Sequence, residues 1–446
     1  MDYWLNLTLF KMGFWITWAL VPIVIEIIPA TISAIRLFIK AVSKEKLEMP
    51  DKMPMISVIV PVYNSEATLF NCIRSIHNST YPDDLIQVIL ADNQSTDNSF
   101  DVYARAQNEF TSMHMQLIHT EKGKASALNS AIYTYIGTYI INIDSDGILE
   151  KSALMNMVLK FENDYEVSAM TGTILPQRDL IKATKGLWKG ILQRNEYFEY
   201  AQAFLSGRTM EANSNQLFTM SGAFSAFRKD ALLKTFMYST QTIGEDTDMT
   251  FQIREHLKLK VAICTTAIFY VEPIPSLNNL YTQRQRWQRG EIEVIHQYGD
   301  RFSVKNFFSD FLIRRIMIDH TFLFPKMIWL CASVALLFFR YSGVMMAMSY
   351  FIIYLLYILV GLLNYGCVCI LLHDFKEEGK FYRSLWWVCL TLPFYNFICS
   401  CIRFIGTING MTEASTWNLT SLDKEFKDLK KVVKKDFKEL RDKRGE

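Results

Sequence analysis

The chain has no cysteine framework. Of its eight cysteines, Cys331, Cys367, Cys369, Cys389, Cys399 and Cys401 sit inside apolar stretches, while Cys72 and Cys264 stand alone. This spacing excludes a disulfide-stapled scaffold and a cysteine-based zinc module. The seven histidines are scattered, so no imidazole-rich metal centre is expected. No internal repeat or low-complexity tract appears, which removes solenoid and linker-type architectures. A net charge of only +2 over 446 residues gives no basic field of the kind nucleic-acid binding needs, so nucleic acid is not an expected partner. The first apolar segment contains Pro22, Glu26 and Pro29 and has no small-residue cleavage pattern behind it. It therefore reads as a retained anchor rather than a removable leader.

What is abundant is apolar surface. Half of the residues are hydrophobic and 14% are aromatic, and they are unevenly spread. Phe10–Ile39 and His320–Ile408 are nearly continuous apolar stretches, whereas Asp51–Asp300 has the mixed composition of a soluble domain. Because about 20 apolar residues cross a bilayer, the expected layout is an anchor in 1–50, a soluble domain in 51–300, and membrane spans in 319–410. Thr321–Phe339, Val344–Leu372 and Leu385–Ile408 are the candidate spans. Between domain and spans, 301–318 places Phe307, Phe308, Phe311, Leu312 and Ile316 on one helical face and Lys305, Asp310 and Arg314 on the other, which suits an interfacial amphipathic helix. A charged tail, 411–446, closes the chain, with Phe426, Leu429, Val433, Phe437 and Leu440 in a helical stripe.

Arg36, Lys40, Lys44, Lys46 and Lys52 follow the anchor, and only Lys11 precedes it. The positive-inside bias thus predicts a multi-pass protein of the cell membrane with its soluble domain in the cytoplasm. One anchor plus three spans would put the tail outside, yet Asp423–Glu446 carries ten Lys or Arg against seven acids. Either Leu385–Ile408, interrupted by Pro393 and Asn396, is re-entrant, or one long span is two, or the tail does lie outside, and the sequence leaves all three open.

Within the soluble domain, Ile56–Asn64 is an apolar run of strand length followed by helical spacing over Ala67–Ile76. Gln87–Ala91 leads into Asp92-Asn-Gln-Ser-Thr-Asp97, and Thr138–Ile143 ends in Asp144-Ser-Asp146. This alternation predicts an α/β domain with parallel strands, whose ligands lie at the carboxyl ends of strands, where Asp92, Asp144 and Asp146 fall. Asp97 reads as a turn or helix cap. Asp144 and Asp146, at i and i+2, repel one another unless a cation neutralises them, and Mg²⁺ favours carboxylates together with substrate phosphates. Gln283–Gly290, QRQRWQRG, packs three cations beside an indole. A solvated helix face accounts for the cations but not for the tryptophan.

The succession Val58–Asn64 (VIVPVYN), Asp92–Asp97 (DNQSTD), Gly123–Asn129 (GKASALN), Asp144–Asp146 (DSD), Ser221–Leu232 (SGAFSAFRKDAL), Gly244–Asp246 (GED) and Gln283–Trp287 (QRQRW) resembles the processive, membrane-integrated glycosyltransferases of family two. Among them it is most similar to the bacterial poly-β-1,6-N-acetylglucosamine synthases, with cellulose and hyaluronan synthases and an exosortase-associated Gram-positive group also similar. The likeness covers Met55–Asp300 and extends to Trp386-Trp387, Leu392–Tyr395 and Trp417.

The resemblance implies a GT-A-type α/β glycosyltransferase domain inserted between transmembrane helices. It implies a UDP-sugar donor, a growing glycan as acceptor and Mg²⁺ or Mn²⁺, with a small membrane accessory protein as a candidate partner. On this reading Asp92 contacts the uracil, Lys124 the nucleotide, Asp144 the ribose and donor sugar, and Asp146 the metal. Asp246 is the general base and Glu245 a substrate contact beside it. Gln283, Arg286 and Trp287 form Q-x-x-R-W, with the indole under the acceptor sugar and Arg286 at the diphosphate. Asn93 and Gly244 depart from the pattern, which has a second aspartate and a threonine there. One base without an enzyme nucleophile implies inversion of the anomeric centre.

Overall fold

A computed structural model gives the fold, and it describes residues 23–42, 47–213, 215–299, 342–412 and 422–425, with isolated positions near 327–338 and 427–430. The interfacial helix expected at 301–318 and the tail stripe at 426–440 lie outside the described residues, as does nearly all of the expected span at 321–339.

Eight strands form one sheet: β1 (Ile56–Val62), β2 (Ile86–Asp92), β3 (His114–His119), β4 (Tyr139–Ile143), β5 (Ile148–Leu149), β6 (Val167–Pro176), β7 (Phe224–Arg228) and β8 (Lys260–Val271). Their order is β3-β2-β1-β4-β7-β6-β8-β5. The first four are parallel, as the strand–helix alternation predicts. The second half departs from that expectation: β7 runs antiparallel to both β4 and β6, and β5 antiparallel to β8. The reversal has a use, because it brings the start of Ser221–Leu232 back to the end of β4, where the Asp144 N–H donates to the Ala223 carbonyl at 3.2 Å.

Alternation along the strands builds a core on each face. Val58, Val60 and Val62 face one way, with Val88, Leu90, Ile141 and Ile143. They pack on α2 (Leu69–His77) and α5 (Ala153–Asn163). Ile59, Ile89, Ala91 and Ile140 face the other way onto α4 (Lys124–Ile132), through Ala127, Leu128 and Ala131. The remaining helices are α1 (Ile28–Val42), α3 (Ser99–Glu109), α6 (Arg178–Ala183), α7 (Leu187–Tyr200), α8 (Arg208–Asn213), α9 (Glu245–Phe251), α10 (Leu277–Gln297), α11 (Gly343–Leu371), α12 (Lys376–Ser384) and α13 (Val388–Thr412).

Among the described residues, two helices are long and apolar enough to cross a membrane, α11 over Met346–Leu371 and α13 over Val388–Asn409. Pro393 does not break α13, which continues through it and through Asn396. A third core joins these helices to the sheet domain: Tyr197, Phe198, Leu280 and Tyr281 on one side pack with Val368, Leu372, Tyr382 and Leu392 on the other. The lock beside it is polar. Buried Glu378 of α12 accepts from Arg178 Nη1 at 2.7 Å, Tyr197 OH at 2.5 Å and Tyr270 OH at 3.1 Å.

Candidate active site

The register places the ends of the parallel strands together: Val62 lies opposite Asp92, and Asp92 opposite His119. Asp92 Oδ1 accepts from the Ser95 N–H at 3.1 Å, and His119 Nδ1 lies 3.1 Å from Asp92 Oδ2. The next residue, Asn93, accepts from the Gly123 N–H at 2.5 Å and so ties the start of α4 to this loop. An aspartate there would put a second negative charge beside Asp92, whereas the amide does the same tethering uncharged. Asp97 accepts from the N–H groups of Glu66 at 2.9 Å and Ser99 at 3.1 Å, a loop-tying role in line with the capping expectation.

Ser145 turns inward, with its Oγ 2.7 Å from Ser65 Oγ, and Asp144 and Asp146 flank it. Lys124, the first residue of α4, reaches Asp144 Oδ1 at 2.5 Å and the Gly222 carbonyl at 3.4 Å. Burial alone would lower the Lys124 pKa, but Asp144, Glu245 and Asp246 outweigh it and keep the ammonium charged. Asp146 opens to solvent at its edge but is hemmed in by protein elsewhere. That partial burial, reinforced by neighbouring Asp144, pushes its carboxyl up to about 6.

The Gly222 backbone bridges to the next element, because its N–H donates to Asp246 Oδ2 at 3.0 Å. Asp246 Oδ1 accepts from the Thr247 N–H at 2.8 Å. A continuous path, Asp144–Lys124–Gly222–Asp246, thus runs across four segments far apart in sequence. Glu245 is buried, and burial with Asp246 beside it pushes its carboxyl up to about 7.

Q-x-x-R-W lies on α10, whose first turn is capped by Ser276 Oγ accepting from the Asn279 N–H at 3.3 Å. Trp287 is 37% exposed. Its ring sits 5.7 Å from Phe204 in an edge-on arrangement and 6.2 Å from Tyr200. Gln283 donates to Tyr200 OH at 3.3 Å, while its Oε1 is buried without a hydrogen-bond partner. Buried Arg284 stacks 4.3 Å from the Trp287 ring and pairs with Glu199 at 2.5 Å. Arg286 is exposed and makes no ion pair or hydrogen bond among the described residues. The cation under the indole is therefore Arg284, which the motif reading passed over.

The motif's final glycine also has a physical reason. A Cβ on Gly244 would come within 2.7 Å of the Gly290 carbonyl oxygen, and one on Gly290 within 2.9 Å of Gly244 Cα. The G-E-D backbone and α10 touch without intervening side chains. Gly244 and Gly290 form a matched pair, so the missing threonine is part of a backbone contact that fixes Asp246 relative to Trp287. Arg208 is a further residue that sequence patterns did not reveal. It is buried, 4.5 Å over the Phe204 ring and 3.5 Å from Thr171 Oγ1, and burial pushes its guanidinium down to about 10 against the pull of Glu211 and Asp246.

No group of three or more metal-ligating side chains occurs among the described residues. The donor set still fits a hard cation: Asp146 is a carboxylate with no ion-pair partner among them, and Asp144 is one residue removed from it. Mg²⁺ and Mn²⁺ sites of this kind complete their shells with phosphate oxygens and water.

A mixed sheet with carboxylates at its strand ends, facing an aromatic shelf, defines an α/β transferase of the GT-A kind. Residues 57–236 match the family model described as glycosyl transferase family 2, and the chain is a glycosyltransferase carrying that family's domain. It is 25% identical over 323 residues to the probable glycosyltransferase YdaM of Bacillus subtilis (strain 168), covering 69% of this chain and 68% of that one. It is 24% identical over 268 residues to the poly-beta-1,6-N-acetyl-D-glucosamine synthase of Staphylococcus aureus (strain COL), with 59% of each covered. The chain thus spans well under two thirds of that synthase. The fold is shared with the mannosyltransferase PcManGT of Pyrobaculum calidifontis, solved with GDP-Man and Mn²⁺, at a TM-score of 0.52 and 16% identity over 86% of this chain and all of that one (100%).

Proposed function

We propose that this glycosyltransferase takes its sugar from a UDP-sugar, UDP-N-acetylglucosamine being the favoured donor. It adds that sugar with inversion to the end of a growing β-linked glycan at the cytoplasmic face, and passes the product through its own spans as an extracellular polysaccharide. In this layout 51–300 is the catalytic domain of a multi-pass protein of the cell membrane. The observation that supports the reading is the path from Asp144 through Lys124 and Gly222 to Asp246, which ties that carboxylate to the strand-end aspartate, while the Gly244–Gly290 approach joins the same loop to the helix that bears Trp287.

In this mechanism Asp92 receives the uracil, and Lys124 and Asp144 orient the ribose and donor sugar. Asp146 would hold Mg²⁺ or Mn²⁺ on the diphosphate, where the cation supplies neutralisation of the leaving group's charge. The acceptor ring lies on Trp287 and Gln283, and Arg286, without a partner among the described residues, swings to the phosphates. Asp246 takes the proton of the acceptor hydroxyl as that oxygen attacks the anomeric carbon. Both Asp246 oxygens are already held by backbone N–H groups, so the base does not need to reorient. Glu245, buried beside it, bounds the acceptor side.

The test supplies purified protein in nanodiscs with separate UDP-sugars and follows UDP release together with product size. High-mass product from UDP-N-acetylglucosamine is expected. Release of UDP with only single-sugar or lipid-linked product would replace the polymerase with a non-processive transferase. A purified chain that is active alone would also dispense with a small membrane accessory protein.

A further inference from the structure

The motif Leu392–Tyr395 on α13 has no part in the chemistry described above, yet one of its polar groups reaches the acceptor side. Leu392 and Tyr395 are buried and Phe394 is exposed. The Tyr395 hydroxyl donates to Glu199 Oε2 of α7 at 2.8 Å. The same carboxylate oxygen receives Arg284 Nη2 of α10 at 2.5 Å, and Nη2 lies 3.5 Å from the Tyr395 oxygen. A compact triad thus joins three helices.

The triad ends on the indole. The Arg284 guanidinium lies 4.3 Å from the Trp287 ring and 5.8 Å from that of Tyr200. It has few other holds: among the described residues Glu199 is its one ion-pair partner, and its Nε is buried without a hydrogen-bond acceptor. Buried Glu196, one turn earlier on α7, is engaged elsewhere, accepting from the Ile274 N–H at 2.8 Å. A desolvated guanidinium with a single carboxylate is placed by that carboxylate. Here the carboxylate is placed in turn by the Tyr395 hydroxyl.

The contact between α7 and α13 repeats one turn earlier without the arginine. Asn195 Nδ2 donates to Thr391 Oγ1 at 3.0 Å, and Thr391 Oγ1 donates to Asn195 Oδ1 at 3.1 Å. Two side-chain pairs at matching i, i+4 positions therefore join the same helices. Of the two, only the pair of Glu199 and Tyr395 touches Arg284.

We infer that Glu199 and Tyr395 are positioning residues: acting through Arg284, they hold the Trp287 indole in the orientation that receives the acceptor sugar. The inference rests on the proposed reading of Trp287 as the acceptor platform, and adds what sets that platform. The seating of α13 on the sheet domain then governs how firmly the growing end is held between additions.

The test uses the full chain in detergent, labelled with 5-fluorotryptophan, the Trp287 resonance being the one lost in Trp287→Phe. Tyr395→Phe, Glu199→Gln, the double variant and Thr391→Val are compared for that resonance, UDP affinity and thermal midpoint. A β-linked N-acetylglucosamine oligosaccharide serves as acceptor, and the concentration that half-saturates UDP release is measured. Tyr395→Phe and Glu199→Gln should each move the Trp287 resonance and raise half-saturation about tenfold, the effect of one charge-assisted hydrogen bond, with kcat and UDP affinity within about twofold. The double variant should be no worse than Glu199→Gln, because both changes act through Arg284. Thr391→Val should lower the thermal midpoint as Tyr395→Phe does, yet leave the resonance and half-saturation unchanged. Equal effects of Thr391→Val and Tyr395→Phe on half-saturation, or additive effects in the double variant, reduce the triad to a docking contact and overturn the inference. An unmoved Trp287 resonance in both single variants also overturns it. A resonance that responds to Tyr395→Phe but not to added oligosaccharide overturns the platform reading instead, and is distinguishable because the hold on the indole is then still seen.

Discussion

Asp246 is held by one backbone N–H on each oxygen, so Asp246→Asn preserves shape and one of these two acceptors while removing the proposed base. We expect UDP affinity to persist and transfer to fall by roughly 10²–10⁴-fold, the usual contribution of a positioned base. Joint loss of UDP binding and turnover would instead make Asp246 a donor-site or structural residue. Asp146→Asn should abolish turnover, as should EDTA, with Mg²⁺ or Mn²⁺ restoring it to the wild type alone. Asp97→Asn is the control, since losing a loop-tying acceptor costs about 1 kcal/mol of stability and leaves the metal position intact. Glu245 carries a pH signature. Its carboxyl titrates higher in the folded protein, about 7, than its ordinary 4.5. The folded state therefore holds the extra proton between those values, and stability falls as pH rises through that window. Thermal midpoints measured from pH 4.5 to 8 should decline for the wild type and decline less steeply for Glu245→Gln, the remaining slope coming from Asp146 and Glu196, which are also pushed up into this window. Parallel curves for the two would remove Glu245 from the account.

At the scale of elements, the informative contact is between two backbones. Gly290→Ala inserts a methyl 2.9 Å from Gly244 Cα, and overpacking of this kind costs about 1–3 kcal/mol. Because the strain falls between the Asp246 loop and α10, transfer should drop more than UDP binding, which depends on β2 and β4. Equal losses in both would mean general unfolding. Trp287→Ala removes the face of the shelf built with Tyr200 and Phe204. An aromatic platform holds successive sugars without regard to chain length, so polymer per folded molecule should collapse while UDP stays bound. If the indole were only an interfacial anchor, activity would decline only in proportion to folded protein, which product length and UDP affinity together would reveal.

Across the whole molecule, the catalytic domain and the apolar helices share one core, and Glu378 is its polar keystone. Glu378→Ala leaves Arg178 without its buried partner and strands Tyr197 OH and Tyr270 OH. Breaking such a pair costs about 3 kcal/mol. The expected outcome is a lower midpoint for thermal loss of UDP binding in detergent, with UDP release per folded molecule retained at low temperature. An unchanged midpoint would mean that the apolar core alone joins the two parts.

The parallel half of the sheet, the carboxylates at its edge and the aromatic motif on a helix were all legible in sequence, for a physical reason. Strand periodicity and strand-end aspartates are local properties, visible in runs such as Val58–Asn64 and Asn142–Asp146. The antiparallel return of β7 was not legible, because the pairing of a short apolar run is decided by its neighbours. Nor were the Gly244–Gly290 contact, the burial of Arg208 beside Thr171 or the pairing of Arg284 with Glu199, since each depends on segments distant in sequence meeting in space; Arg284 beneath Trp287, three positions away on the same helix, was within reach of helical spacing. Hydropathy likewise identified α13 as apolar enough to span, but composition carries no direction. Only the tertiary contacts at Thr391, Tyr395 and Arg403, and the return of Asp423 and Glu425 to α10, show which of its faces packs on the sheet domain.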